Sequence, residues 1–283
     1  MARVNGRRET TAAPPLPQPT AANRAYKAMV LAAARAAPIV GLLVAWELFA
    51  RSGAVTAFVL PPFSVVAERI WADAVSGELW RNISVTIYRA SAGFLIGGTI
   101  GVALGMAIVG NRVARWFFDP IVSVGFPMPK ITFLPVVILW LGVFEASKIT
   151  MISIESVFPV VTATVIGIQG VERELLWSAR TLGAKERELL WQVMLPAALP
   201  QIITGLQVAM PIALIVAIFT EMAMGGYGLG GSMMTASRYA DSPGVFAGIV
   251  EIAVVGYLAV RAMAMLRRRL LLWHQEAIAP STA

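Results

Sequence analysis

Apolar residues gather along the chain into runs parted by short polar breaks, and most runs approach the ~20 residues that carry an α-helix across a bilayer core. They fall at Val30 to Ala50, Ala90 to Gly110, Phe117 to Phe144, Ile149 to Ile168, Ile202 to Met224 and Val245 to Leu266. The pattern predicts an all-α, polytopic membrane protein with six transmembrane helices. The first run is the weakest: Ala36 to Ala50 is clean but short, and Arg35 must snorkel toward the headgroups. Between the first two runs, Leu60 to Ile83 sets Val65, Val66, Ile70 and Trp71 at helical spacing among acids and a base. This predicts an amphipathic helix on the outer surface.

The largest polar break, Val171 to Pro200, packs Arg173, Arg180, Lys185 and Arg187 among Glu172, Glu174, Glu186 and Glu188. Leu175, Leu176, Ala179 and Leu182 have helical spacing, Gly183 stands where a helix would stop, and Leu189, Leu190, Val193 and Met194 resume the pattern. The expectation is helix, glycine turn, helix, ended by Pro196. The outward side of this elbow carries charge and the other side is apolar.

Charge sets the orientation. If the N-terminus is cytoplasmic, the inner segments hold Arg3, Arg7, Arg8, Arg24, Lys27, Arg35, Arg112, Arg115, the four bases of the elbow, and Arg267, Arg268 and Arg269, which is fifteen of the 23 bases. The outer segments hold Arg51, Arg69, Arg81, Lys148 and Arg238, while Arg89, Lys130 and Arg261 lie within or at the edges of runs. The excess of bases inside places both termini and the elbow in the cytoplasm.

Composition narrows the chemistry. Of 283 residues, 58% are apolar and only 14% charged, against about a quarter charged in soluble domains. The net charge of +7 comes from bases scattered among the runs and at their ends, without the basic face that nucleic acid requires. With no cysteine and one histidine, His274, disulfides, thiol chemistry and His clusters are excluded, and neither catalytic residues nor a metal site are expected. Residues 1–28, rich in Pro, Ala and Thr, are expected to be a disordered cytoplasmic tail, 29–274 the membrane domain, and 275–283 a C-terminal tail. No cleavable signal peptide is expected, because the first apolar run begins only near Met29.

Charges within the runs invite a role, since each costs at least about 2.5 to 3.5 kcal/mol near mid-bilayer. Glu221 and Arg261 lie close enough to run ends to reach the interface. Lys130 stands in a run broken by Pro127, Pro129 and Pro135, where freed carbonyls and a cation could line a pathway. Glu155 and Glu251 lie deeper, and either pair across the bundle or line the pathway. Gly93, Gly97, Gly101 and Gly105 form one stripe on the second helix, suited to close packing within the chain or against a second copy. The run from Gly226 to Gly231 fits G-x-G-x-x-G but follows an apolar helix where a nucleotide fold has a strand, so it is read as a flexible outer turn. No G-x-x-x-x-G-K-[ST] occurs, so the chain supplies no P-loop for ATP.

The elbow also carries a family likeness. Trp177-Ser178-Ala179, three residues, Gly183, nine residues, Val193, one residue and Leu195-Pro196 resembles the EAA loop of permease subunits in binding-protein-dependent ABC importers. Flanking segments resemble the nitrate, sulfonate and taurine branch: Leu60-Pro61-Pro62, Pro127-Met128-Pro129-Lys130 with Leu134-Pro135, Trp140-Leu141-Gly142, Ser147-Lys148-Ile149, Glu221-Met222, Gly228-Leu229-Gly230, and Arg267-Arg268 with Trp273. The resemblance covers about Leu31 to Trp273. It implies the type I ABC importer permease fold in a bacterial inner membrane, surrounded by lipid, and an EAA coupling loop at 171–197 in which Ser178, Ala179, Gly183, Leu195 and Pro196 hold the family positions. It also implies ABC ATPase subunits that bind ATP and magnesium, an extracytoplasmic solute-binding protein, and a second permease copy or paralogue, with no cofactor on this chain. The cargo implied is a small organic anion or oxyanion such as a sulfonate, taurine or nitrate. Trp177 departs from the family pattern by standing where its glutamate is usual, and Glu174, three residues earlier on a neighbouring part of the helix face, is expected to replace that carboxylate. The alternative from the residues alone is an ion-coupled secondary transporter using Glu155 and Glu251.

Overall fold

A bilayer offers no water to backbone N–H and C=O groups, so each crossing must close its own hydrogen bonds, and helices do this within one segment. The computed structural model describes residues 21–271, with backbone alone for 21–29, 31–33, 35 and 36, and all its regular elements among the described residues are helical. The chain divides into two units, Met1–Val55 and Thr56–Ala283. In the first, α1 (Ala21–Arg51) is a 31-residue helix with Pro38 inside it and a 2.5 Å Arg51–Glu47 ion pair near its end. The tail expected over 1–28 lies outside the described residues up to 20, but 21–28 belong to α1. Ala, Arg and Lys there are strong helix formers.

The second unit opens with α2 (Phe63–Ser76) and α3 (Glu78–Gly110). The single amphipathic helix expected over Leu60 to Ile83 is thus two, because Gly77 at φ 83° caps one and starts the other. Val66 is fully buried and Ile70 packs beside Leu79, Leu229 and Val255, while Trp71 stays exposed. After α4 (Arg112–Gly125) come a 3-10 turn (Lys130–Phe133), α5 (Leu134–Leu141) and α6 (Glu145–Gln169). The elbow follows, with α7 (Arg173–Thr181), the short α8 (Glu186–Glu188) and a π turn (Leu189–Met194) running into α9 (Leu195–Met224). A short helix, α10 (Leu229–Arg238), and the long α11 (Ser242–Leu270) complete the unit.

The glycine stripe decides how α3 and α6 meet. A Cβ built on Gly93 would stand 2.5 Å from Ile152, one on Gly97 2.5 Å from the Ser153 carbonyl oxygen, one on Gly101 2.7 Å from Val160 and one on Gly105 2.6 Å from Thr164. Every fourth residue of α3 therefore admits the α6 surface, so this stripe packs within the chain. Gly97→Ala is expected to destabilise the fold by about 1–3 kcal/mol, since backbone must yield. Denaturant unfolding in detergent measures it, and a change under 0.5 kcal/mol would mean that the two helices have room to part.

Ala90, Leu134, Met151, Ile152, Ala213, Leu214 and Ala217 form the main core, joining α3, α5, α6 and α9. Four stretches, Glu78–Gly110, Glu145–Gln169, Glu186–Arg238 and Ser242–Leu270, are long and apolar enough to cross a membrane. The pair Arg112–Gly125 and Lys130–Leu141, bent by 99°, makes a fifth if taken as one broken span. Six were expected, and the described residues do not reach that number.

Candidate functional site

Two ends of the second unit carry its chemistry. At one end the chain leaves α6, makes the elbow and enters α9. α7 stops because Gly183 takes φ 88°, with Gly183 N–H donating to Arg180 O and Ala184 N–H to Ala179 O. A Cβ there meets nothing within 4 Å, so Gly183→Ala carries only the left-handed backbone cost of about 1–2 kcal/mol. Hydrogen exchange should show the turn opening more often in that variant, and unchanged protection would remove the claim. Arg180 pairs with Glu186 at 3.1 Å across the turn, and Glu188 accepts from the Lys185 N–H at 2.8 Å.

Pro196 does not end the helix as expected. Instead Leu195 N–H donates to Leu190 O, the wider spacing of a π turn, and α9 continues for 30 residues. A proline in the first turn after such a widening loses no α-helical bond it could have made. Leu189 is buried, and Leu190 packs against the cluster of Met106, Ile168, Ala198 and Ile202. The elbow is thereby keyed into α3, α6 and α9. Leu175, Trp177, Leu182 and Trp191 are exposed, at 47%, 59%, 88% and 53%, and Glu174 is exposed beside them in sequence. Ser178 is exposed too, and Ala179 is half-buried. The apolar positions are not all turned inward as the spacing predicted: Leu175 and Leu182 face out, leaving a greasy, charge-rimmed surface.

At the other end lies a buried ionic cluster. Arg89, 3% exposed, holds Glu145 with Nε at 2.6 Å and Nη2 at 2.5 Å, and gives Nη1 to Glu221 at 2.8 Å and to the Tyr227 carbonyl at 2.6 Å. Glu221 is completely buried and also accepts from the Thr86 hydroxyl and, at 3.1 Å, from the Gly230 N–H. Lys148, buried as well, donates to Gly225 O at 2.8 Å. Two bases and two acids balance, and each buried charge has hydrogen-bonded partners, as burial demands.

The cluster corrects three expectations. Glu221 does not reach an interface; α3 supplies the partners that make its burial tolerable. The turn after α9 is not loose either. Gly228 N–H donates to Asn82 Oδ1 at 3.1 Å, Leu229 N–H donates to Thr86 Oγ1 at 2.9 Å, and Arg81 lies over the Tyr227 ring at 4.0 Å. Lys148, counted among outer loop bases, is instead part of the interior.

Lys130 and Glu155 are brought together, 3.4 Å apart, in the bend between α4 and α5. Lys130 Nζ donates to the carbonyls of Gly125, Phe126 and Met128, and lies 4.6 Å from the centre of the Phe158 ring. The lysine caps carbonyls at and beyond the end of α4, and one of them, Gly125 O, stands four residues before Pro129, which has no N–H to offer it. Glu251, 9% exposed, is the buried acid whose Oε1 finds no partner. Arg261 lies exposed on α11.

These features define an apolar helical subunit with a charged elbow at one end and a locked polar cluster at the other. The chain belongs to the family of binding-protein-dependent transport system inner membrane components, whose pattern it matches over residues 97–272. It is therefore an ABC transport permease and a multi-pass inner-membrane protein. It is 34% identical over 235 residues to a candidate aliphatic sulfonates transport permease, SsuC, of Bacillus subtilis, covering 83% of this chain and 85% of that one. It is 29% identical over 240 residues to the taurine transport system permease TauC of Escherichia coli, covering 83% and 87%. Similarity extends to the riboflavin transport system permease RibX of Chloroflexus aurantiacus, at 29% over 232 residues, covering 82% and 87%. Among solved structures, a chain of the inward-facing MetNI methionine ABC transporter is 20% identical with TM-score 0.48, covering 67% of this chain and 95% of that chain.

Proposed function

We propose that this chain forms the translocation pathway of a type I ABC importer for small organic anions, sulfonates foremost, and takes its driving force from a separate ATPase docked on the elbow. The family match over 97–272 carries the reading. The sulfonate and taurine relatives support the cargo class. The exposed surface of Leu175, Trp177 and Leu182 supports the docking, because apolar groups projecting from a charged elbow gain most when a partner covers them. ATP and magnesium then belong to the partner, and the permease performs no covalent step. A solute-binding protein meets the end carrying α2 and α10, two permease copies or a copy and a paralogue enclose the pathway, and both termini lie in the cytoplasm with the elbow.

Mechanically, the run from the elbow into α9 lets a displaced elbow move the full length of α9, about 45 Å at 1.5 Å per residue. The far end of α9 holds Glu221, so the same motion reaches the ionic cluster. Pairing of Glu155 with Lys130 supports a structural role for that acid. Uptake of alkylsulfonate into proteoliposomes holding the complete transporter tests the reading. Transport should require ATP and survive a protonophore. Uptake that ignores ATP and vanishes with the ion gradient would favour a secondary transporter working through Glu155 and Glu251.

A further inference from the structure

An apolar groove of about 540 Å³ runs between α3, α9 and the last turns of α11, beside the elbow. Its walls include Phe94 and Met106 of α3, Leu206 of α9, Met263 and Leu270 of α11, and Trp191 of the π turn. Thr99 also lines it, but its hydroxyl donates to Leu95 O at 2.7 Å and is spent within its own helix. From Phe94 to Met106 the groove follows α3 for about 18 Å at 1.5 Å per residue. That is close to the ~15 Å of hydrocarbon in one leaflet, half of a ~30 Å core.

The end of this groove beside the elbow is basic. On α11, Arg267 follows Met263 by four residues and precedes Leu270 by three, and Arg269 follows Leu266 by three. Those spacings make both arginines helical neighbours of groove residues. Arg267 is half-buried, and its Nη1 donates to Gln207 Oε1 of α9 at 2.7 Å, which fixes the guanidinium between two of the helices that wall the groove. Arg269 is exposed. The acids of α3, α9 and α11 are Glu78, Glu221 and Glu251, all toward the opposite end, about 20 Å or more from the arginines by helix rise. Nearer acids belong to the elbow, where Glu186 pairs with Arg180 and Glu188 accepts from the Lys185 N–H.

We propose that this groove seats an anionic phospholipid, with one acyl chain along the trough and the phosphate taken by Arg267 and Arg269. Guanidinium groups offer paired N–H donors that match phosphate oxygens. Bases close to a membrane surface favour anionic over zwitterionic headgroups. Trp191, 53% exposed at the same end, adds an amphipathic ring of the kind that settles at headgroup level. Ordinary contact with bulk lipid needs only the apolar wall and does not distinguish headgroups. A lipid held here touches Trp191 and Leu195, and so braces the junction where the elbow enters α9. The inference requires only that the chain sits in a membrane. Its readout uses neither cargo nor ATP, so it can fail while the transport reading stands.

The test is native mass spectrometry of the full chain, titrated in detergent with palmitoyl-oleoyl phosphatidylglycerol and with the phosphatidylcholine of the same chains. One phosphatidylglycerol per chain should bind about ten-fold or more tightly than phosphatidylcholine. Arg269→Gln should weaken it about five-fold, the usual share of one base at a membrane surface. Arg267→Gln and Arg269→Gln together should bring it down to the phosphatidylcholine level. Ala103→Phe, at an exposed position in the groove wall, should weaken both lipids about ten-fold by filling the trough, with the charges untouched. Arg269 and Ala103, both exposed, carry the test if loss of the Arg267–Gln207 bond impairs folding. The proposal is overturned if the two lipids bind alike, or if either Arg269→Gln or Ala103→Phe binds phosphatidylglycerol as the parent does. It is also overturned if glycerol 3-phosphate displaces the lipid fully, which would assign the arginines to a free phosphate. An Ala103→Phe variant that keeps its lipid but loses a permease dimer would give the groove to a second copy.

Discussion

Arg89→Met should lower the stability of this protein by about 3 to 5 kcal/mol, the usual consequence of removing one partner from a buried ion pair. Methionine keeps the length and apolar stem of arginine, so the loss is of charge and hydrogen bonds. Glu221, with no exposure, would then keep only the Thr86 hydroxyl and the Gly230 N–H, and the Tyr227 carbonyl would lose its donor. The measurement is denaturant unfolding in detergent, with uptake as a second readout. Adding Glu221→Gln should recover part of the loss, because the stranded charge goes with it. Glu145→Gln should cost under ~1 kcal/mol, since the Glu145 side chain is 55% exposed and solvent can replace what it loses. A methionine variant as stable as the parent would show that the cluster is solvated and exerts no hold.

Trp177→Ala should weaken ATPase docking by about 30-fold, equivalent to the ~2 kcal/mol that marks a strong interface residue. Trp177 is a large apolar side chain, 59% exposed, on a rigid helix end locked by Gly183. It gains by being covered and loses little entropy on binding. Glu174→Ala should reduce ATP-driven uptake while leaving docking within a few-fold, if the carboxylate has taken over the role of the family's glutamate. Titration of the ATPase onto nanodiscs holding the permease reads docking, and vanadate-sensitive hydrolysis with and without cargo reads coupling. A silent Glu174→Ala would defeat the replacement idea; full docking after Trp177→Ala would move the contact to Leu182 or Trp191.

What a single chain's residues reveal depends on whether the signal is local. The elbow was legible because glycine, apolar spacing and proline act within a few residues. Even so, spacing alone makes Pro196 a terminator, because a π turn, which adds one residue to a turn, leaves no mark in it. The glycine stripe was legible as a stripe, but whether it packs inside the chain or against a second copy depends on α6, more than fifty residues away. The burial of Glu221 is hidden from its own neighbourhood for the same reason. Its partner Arg89 stands 132 residues off, and nothing near Glu221 announces it. A signal did exist on α3: Asn82, Thr86 and Arg89 fall on one helix face, and Gly93, Gly97, Gly101 and Gly105 extend that face downward. Polar groups in line with a close-packed stripe point to buried partners on the packed helix and its neighbours.

The π turn between Leu189 and Met194 has a consequence for how such elbows diverge. A π turn is an α-helix with one residue inserted, and each α-helical residue turns the chain by about 100°. The wider turn absorbs that residue, because the fifth residue on stands where the fourth would in an α-helix. Deleting one residue in Leu189–Met194 would therefore restore regular winding with Trp177 and Leu182 facing nearly as before, whereas deleting one from the regular turns of α9 would swing the whole elbow by about 100°. The π turn is thus the place along this run where chain length can change by one residue while the elbow keeps its azimuth.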